Sequence, residues 1–280
     1  MVCFKQISSS FIFFFIKKSN IAIFYLLFYK HYKRLYKLKK LDHLSEIHQN
    51  YNTFVIDLWG VMHNGLSLIP SAIKVVNELE KRNKKIVFLS NAPRPSANVS
   101  NFLRSIKMDE KLLSNVLTSG QAALNSIKNK KYGKKFYHLG PPRDKCLFEG
   151  MESNLSSLKE CDYILCTGLF DDKKEDLNFY SDLLRNFKNK KFVCTNPDLI
   201  VDKGNVREHC AGAIAKIFEI LGGNVVYYGK PHKKIYEMCI SKNERTLIIG
   251  DNLRTDIKGA NNLKCDSVLI TNGVHKEEIA

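Results

Sequence analysis

From residue 52 onward the chain alternates short, β-branched apolar runs with longer stretches of helical periodicity, and this alternation constrains the fold more than any other feature. The apolar runs predict strands over 53–58, 85–90, 135–139, 163–167, 191–194, 224–228, 246–250 and 267–271. Runs that are apolar at every residue suit strands buried on both faces, hence a parallel sheet covered by helices. SAIKVVNELEKRN, after Pro70, carries an apolar face, and AGAIAKIFEILGG closes on the glycines that a helix C-terminus prefers. The expected class is α/β, with a doubly wound, Rossmann-like parallel sheet.

Composition narrows the function. At 280 residues, 44% hydrophobic and 26% charged, the chain has room for one large or two ordinary domains and has neither a disordered nor a multi-span membrane composition. The formal charge is +16, and the first fifty residues contribute +7 of it, nine Lys/Arg facing only Asp42 and Glu46. No helix-turn-helix, zinc-finger or aromatic RNA-binding pattern accompanies the remainder, so nucleic acid is not an expected partner. The eight cysteines form no CxxC pair and lie mostly in apolar runs such as YILCTG and FVCTNP, which points to reduced core thiols and a cytoplasmic setting.

Residues 1–41 stand apart. Within them FIFFFIKKSNIAIFYLLFY holds apolar runs of six and nine residues split by Lys17, Lys18, Ser19 and Asn20, neither long enough to span a bilayer. Three readings are open: a dispensable extension, association with a membrane surface helped by KHYKRLYKLKK, or targeting to an organelle.

In open α/β sheets ligands bind at the carboxyl ends of strands, so polar residues just after apolar runs locate the chemistry. Four places qualify: Asp57 in FVIDLWGVMHNG, Ser90 and Asn91 in IVFLSNAPRPS, Lys230 in VVYYGKPHKKIY, and Asp251 with Asp256 in TLIIGDNLRTDIKGA. Together they offer three carboxylates, a hydroxyl, an amide and an ammonium. Carboxylates gathered without matching cations repel one another and favour a hard cation with oxygen ligands, most simply Mg²⁺, while a lysine beside them suits phosphate. Such a set can hold a phosphoryl group between metal and ammonium and attack it with a carboxylate.

In this order, DLWGV, LSN, the lysine of GKP and GDNLRTD resemble the four motifs of the haloacid dehalogenase superfamily, mostly phosphatases, over about residues 45–280. The roughly 140 residues between Ser90 and Lys230 leave room for the α/β cap of its class IIA branch, which includes nucleotidases and 4-nitrophenylphosphatases. TSGQAA, YHLGPPRD, CTGLFDD and TNPDLIVD are similar to an uncharacterised class IIA subgroup known mainly from α-proteobacteria. The resemblance implies a core of residues 45–130 and 226–280, a cap of 131–225, and Mg²⁺-dependent hydrolysis of a small phosphorylated metabolite, with a homodimer left open. It implies that Asp57 is the nucleophile, that Ser90 and Asn91 contact the phosphoryl group, and that Lys230 neutralises it. Asp57, Asp251 and the backbone carbonyl of Trp59 would hold Mg²⁺, Asp256 would position Lys230 or a metal-bound water, Gly60 would allow the tight turn and Thr255 would orient the fourth motif. In the cap, Asn196 and Asp198 are candidate substrate contacts or helix caps, as are Asp171 and Asp172, with Arg143 a candidate anion contact.

One residue departs from the pattern. The superfamily's first motif is Asp-x-Asp, whose second aspartate protonates the leaving alcohol, and here Trp59 stands in that place. Indole cannot exchange a proton at neutral pH, and the general acid–base contribution that it replaces is worth about 10²–10⁴-fold. Three readings follow: substrates whose leaving group needs little protonation, such as aryl or acyl phosphates; proton donation by His63, although nothing in the sequence fixes its imidazole near the leaving group and a place in the turn His63-Asn64-Gly65 explains it better; or a catalytically weak protein that binds a phosphorylated ligand in a regulatory role.

Overall fold

The computed structural model describes residues 2–5, 37–174, 176–203, 206–241 and 243–275. A seven-stranded sheet has the order β2 (Lys37–Lys40), β1 (Val2–Lys5), β13 (Asp266–Leu269), β12 (Thr246–Gly250), β3 (Thr53–Ile56), β4 (Lys85–Ser90) and β5 (Val116–Thr118). A four-stranded sheet has the order β11 (Asn224–Tyr227), β8 (Lys191–Cys194), β7 (Tyr163–Cys166) and β6 (Phe136–Leu139), and β9 (Ile200–Lys203) with β10 (Val206–His209) forms a separate antiparallel hairpin.

All eight expected strands are present, with ends shifted by two residues at most. β5, three residues long, and the 200–209 hairpin were not expected, being too short or too polar to register as apolar runs. Two strands from before residue 42 extend the large sheet, β1 antiparallel to β13 and β2 antiparallel to β1, so part of the 1–41 segment joins the fold. The membrane and targeting readings rest on residues 11–29, which lie outside the described residues. Among the described residues no helix is long and apolar enough to cross a membrane.

From β3 the chain winds outward through β4 and β5, leaves for the small sheet, and returns to β12 on the other side of β3 before reaching β13. β3 is parallel to both neighbours, with Ile56 opposite Phe88 on one side and Ile249 on the other. The winding direction thus reverses between β3 and β12, and a crevice opens at their carboxyl ends.

Both sheets are covered on both faces. Phe54, Ile56, Phe88, Leu247 and Ile249 enter one apolar cluster, and the intervening Val55, Leu89 and Ile248 enter another. In the small sheet Ile164, Cys166, Phe192 and Cys194 face one cluster while Tyr163, Leu165 and Val193 face a second. Successive strand residues point to opposite faces, and burying each large apolar side chain stabilises by about 1.5–3 kcal/mol relative to exposure. The seven cysteines with described side chains are free, and four of them, Cys161, Cys166, Cys194 and Cys210, are buried.

Helices follow their local signals. The helix Pro70–Lys81 starts on its proline and buries Val76 and Leu79. The helix Ala211–Ile220 ends where Gly222 takes φ +89° and Gly223 N–H bonds back to Phe218 O at 2.9 Å, satisfying a terminal carbonyl.

The two sheets meet through polar contacts. Arg94 Nε lies 2.8 Å from Asp144 Oδ1, a carboxylate only 4% exposed, and Ser119 Oγ donates to the carbonyl of Thr195. Ser119 directly follows β5 and Thr195 directly follows β8.

Candidate active site

Asp57 is the first residue past β3, and its N–H continues the ladder to Ile249 O at 2.9 Å. The chain then turns sharply, with Met62 N–H bonding to Leu58 O at 2.8 Å and Gly60 at φ +78°. A Cβ on Gly60 would stand 2.2 Å from Asp251 Oδ2, so both the backbone conformation and the neighbouring acid require glycine.

Asp251 follows β12 on the other side of the crevice. Its Oδ2 accepts the N–H of Val274 at 2.8 Å, from the loop after β13. Asn252 caps the next helical turn, its Oδ1 accepting Arg254 N–H at 2.9 Å, and that turn directs Asp256 back so that its Oδ2 accepts Asn252 N–H at 3.2 Å.

Lys230 is 2% exposed, and its Nζ lies 2.6 Å from Asp57 Oδ1 and 2.8 Å from Asp256 Oδ1. Its backbone is fixed by Asn91, whose Oδ1 accepts Lys230 N–H at 2.8 Å and whose Nδ2 donates to Lys230 O at 3.1 Å. The same Nδ2 donates to Asp198 Oδ1 at 3.1 Å. The Asn91 amide is therefore occupied in joining β4, the Lys230 loop and the 196–198 loop. Ser90 is buried at the end of β4, its Oγ accepting Ala92 N–H at 3.2 Å.

The carboxylates raise one another's proton affinity. Burial, with the charges of Asp57 and Asp256, pushes Asp251 up to about 8. Burial also lifts Asp256 to about 6 against the pull of Lys230, and raises Asp57 in spite of that ammonium. Burial lowers Lys230, but the carboxylates of Asp256, Asp57 and Asp198 outweigh it and keep the amine protonated. Among the described residues, Asp57, Asp251 and Asp256 each offer a ligand atom, all within 4.8 Å of one another and all buried. Oxygen donors in this excess over one ammonium fit a hard divalent cation.

Above these acids lies a cavity of about 190 Å³, lined by Asp57, Asp251, Trp59, Ile69, Ile200 and Val201 among others. Asp198 reaches it from the small-sheet side and is lifted to about 6 by burial. Asn196 shapes that loop, its Oδ1 accepting Asp198 N–H at 3.1 Å. Arg143 and Asp171 lie elsewhere and pair with each other at 2.5 Å on the surface.

His63 is buried, and its Nδ1 accepts Gly65 N–H at 3.0 Å. Its ring stands between those of Trp59 and Phe102, with centroids 5.1 and 5.4 Å away. Burial lowers it to about 4, so it is neutral at pH 7, and it does not line the cavity. Val274 and Gly273 were missed at the sequence level, because the rule that found Asp57 looks for polar side chains and Val274 acts through its backbone N–H.

A doubly wound sheet that brings three acids and a lysine to its switch point is the core of an α/β protein with its polar site at the strand ends. The haloacid dehalogenase-like hydrolase family model matches residues 54–154, and a second HAD-hydrolase-like model matches 227–280. A crystal structure of a haloacid dehalogenase-like hydrolase from Brucella suis superposes with a TM-score of 0.78 and 31% identity, covering 85% of this chain and 95% of that one. The 5'-nucleotidase YutF of Bacillus subtilis is 25% identical over 238 residues, 82% of this chain and 91% of that protein. An acid sugar phosphatase of Staphylococcus epidermidis is 26% identical over 239 residues, 82% of this chain and 90% of that protein. The chain belongs to the haloacid dehalogenase-like hydrolases.

Proposed function

We propose that the protein hydrolyses a small phosphate monoester through an aspartyl-phosphate on Asp57. The observation that carries this reading is the convergence of Asp57 after β3, Asp251 and Asp256 after β12, and Lys230 after β11, with Asp57 and Asp251 lining one cavity and Lys230 and Asp256 packed beside Asp57. Asp57 Oδ1 is engaged by Leu58 N–H at 2.8 Å and by Lys230, which leaves Oδ2 as the oxygen that meets phosphorus. Attack forms the Asp57 O–P bond and breaks the ester P–O bond, the leaving group departing with the electron pair. Water then cleaves the acyl phosphate and returns Asp57 as a carboxylate.

Mg²⁺ held by Asp57, Asp251 and the Trp59 carbonyl would offset phosphate charge when bound. Lys230 supplies a fixed positive charge beside the nucleophile, Asp256 holds that ammonium in place, and Ser90 offers a hydroxyl to a phosphoryl oxygen. Asn91 acts by fixing Lys230 and Asp198. The relatives named for nucleotide and sugar phosphate hydrolysis support a small phosphorylated metabolite as substrate. We read the small sheet with its helices as a cap over the core, running through β11 at residue 227, and Asp198 as its contribution to substrate binding.

The test is Mg²⁺-dependent phosphate release from p-nitrophenyl phosphate by the full chain. Asp57→Asn is expected to lower kcat by at least about 10³-fold with the circular dichroism spectrum unchanged. Turnover near the wild-type rate would sink the reading. A second reading, phospholigand binding without turnover, draws on Trp59 and the neutral, enclosed His63, which leave the leaving-group side without the family's usual acid.

A further inference from the structure

The 200–209 hairpin is tied to the core at two points. Trp59 Nε1–H donates to the backbone carbonyl of Asp202, in β9, at 2.7 Å. Across the hairpin the Asp202 carboxylate pairs with Arg207, at 2.8 Å to Nε and 3.1 Å to Nη2. Arg207 Nη2 also donates to Val274 O at 3.2 Å, and Val274 N–H is the donor to Asp251. The chain of contacts thus runs from one metal-site acid through the hairpin and back to Trp59, two residues after Asp57.

The indole is held rigidly enough to serve as an anchor. The ring of His63 meets it edge-on at 5.1 Å, and Gly65, at φ +88°, leaves the space that its other side fills: a Cβ there would lie 2.7 Å from Trp59 Cη2. Ile200 and Val201, at the start of the hairpin, join Trp59 and Ile69 as the apolar wall of the cavity above Asp57.

We propose that Trp59 is a positioning residue that latches the β9–β10 hairpin onto the core, so that Ile200 and Val201 close the cavity and favour substrates with an apolar or aromatic group beyond the phosphate. The residue in the acid's place thereby sets which ester is admitted instead of moving a proton. The kinetic half of this assignment rests on the hydrolase reading of Asp57, and the structural half does not.

Trp59 is the single tryptophan of the chain, so fluorescence of the full-length protein reads the latch directly. Arg207→Met removes the neighbouring tie and is expected to raise the acrylamide quenching constant of Trp59 by about twofold or more through local opening. Trp59→Phe keeps a ring but loses the donor, and is expected to raise KM for p-nitrophenyl phosphate about three- to tenfold, with a smaller change in kcat. KM for glycerol phosphate, which has no apolar group to lose, should rise less. Unchanged quenching in Arg207→Met, or a fall in kcat at constant KM in Trp59→Phe, would overturn the proposal. If no phosphate ester is turned over, the hydrolytic reading falls, and the quenching comparison by itself decides the latch.

Discussion

The carboxyl edge of the large sheet and that of the small sheet are built alike and used differently. After β3 and β12 stand Asp57 and Asp251, whereas after β7 and β8 stand Thr167 and Thr195, both buried and both uncharged. Thr195 Oγ1 donates to Cys166 O at 3.1 Å, and Thr167 Oγ1 lies 2.9 Å from His138 Nε2 and also bonds the Asp144 carboxylate, so neither small-sheet residue adds a charge and both tie neighbouring segments together. At the large sheet's edge the acids crowd one another around a single ammonium. Similar parallel strand ends therefore yield a seam in one sheet and a cluster of buried acids in the other. The difference lies in whether the buried groups are mutually satisfied.

The strongest way to break this contrast is to remove the ammonium. Lys230→Met leaves Asp57 and Asp256 buried without their cation and is expected to cost about 3–5 kcal/mol in urea denaturation, partly recovered by Mg²⁺. Thr195→Val in the small sheet removes one neutral hydrogen bond and should cost about 1 kcal/mol. Equal costs would mean that the charge difference carries no energy.

The second prediction concerns pH. Asp251 is raised from 3.8 to about 8 and Asp256 to about 6, so the metal-free folded protein retains protons that the unfolded chain releases near pH 4. Its stability should fall as pH rises from about 4 through 8, and the rise in Tm caused by Mg²⁺ should be larger at pH 8 than at pH 5, where the ligands are protonated. A Mg²⁺ effect that does not change with pH would show that these carboxylates do not take the ion.

Smaller effects sharpen the boundary between the sheets. Arg94→Met strands the buried Asp144 carboxylate and should cost about 1–2 kcal/mol, the lower part of the usual range because Arg94 is itself 38% exposed. Smallest of all, Arg143→Met breaks an exposed pair with Asp171 and should move Tm by about a degree or less, leaving KM unchanged. A large rise in KM would restore Arg143 as an anion contact.

Much of the site was legible because its residues obey a local rule. Asp57, Ser90 and Asp251 each stand where an apolar run ends, and such ends converge in any parallel sheet wound about a switch point. The partners of those residues were not legible. The Asn91 amide joins Lys230 to Asp198 across more than 100 residues of sequence, and nothing near Asn91 announces either one. His63, a candidate donor by its spacing from Asp57, is withdrawn by burial and by the Gly65 N–H that its Nδ1 accepts.

The sequence alone determined the alternation of strands and helices, the order of the motifs and the substitution of Trp59 for an acid, because periodicity, turn chemistry and residue identity are local properties. Tertiary structure decided where the indole points, which carbonyl it binds and how Asp57 and Asp256 share one lysine beside Asp251. Those outcomes depend on loops from distant strand ends arriving at the same few ångströms, and on burial that raises the cost of every unpaired charge gathered there.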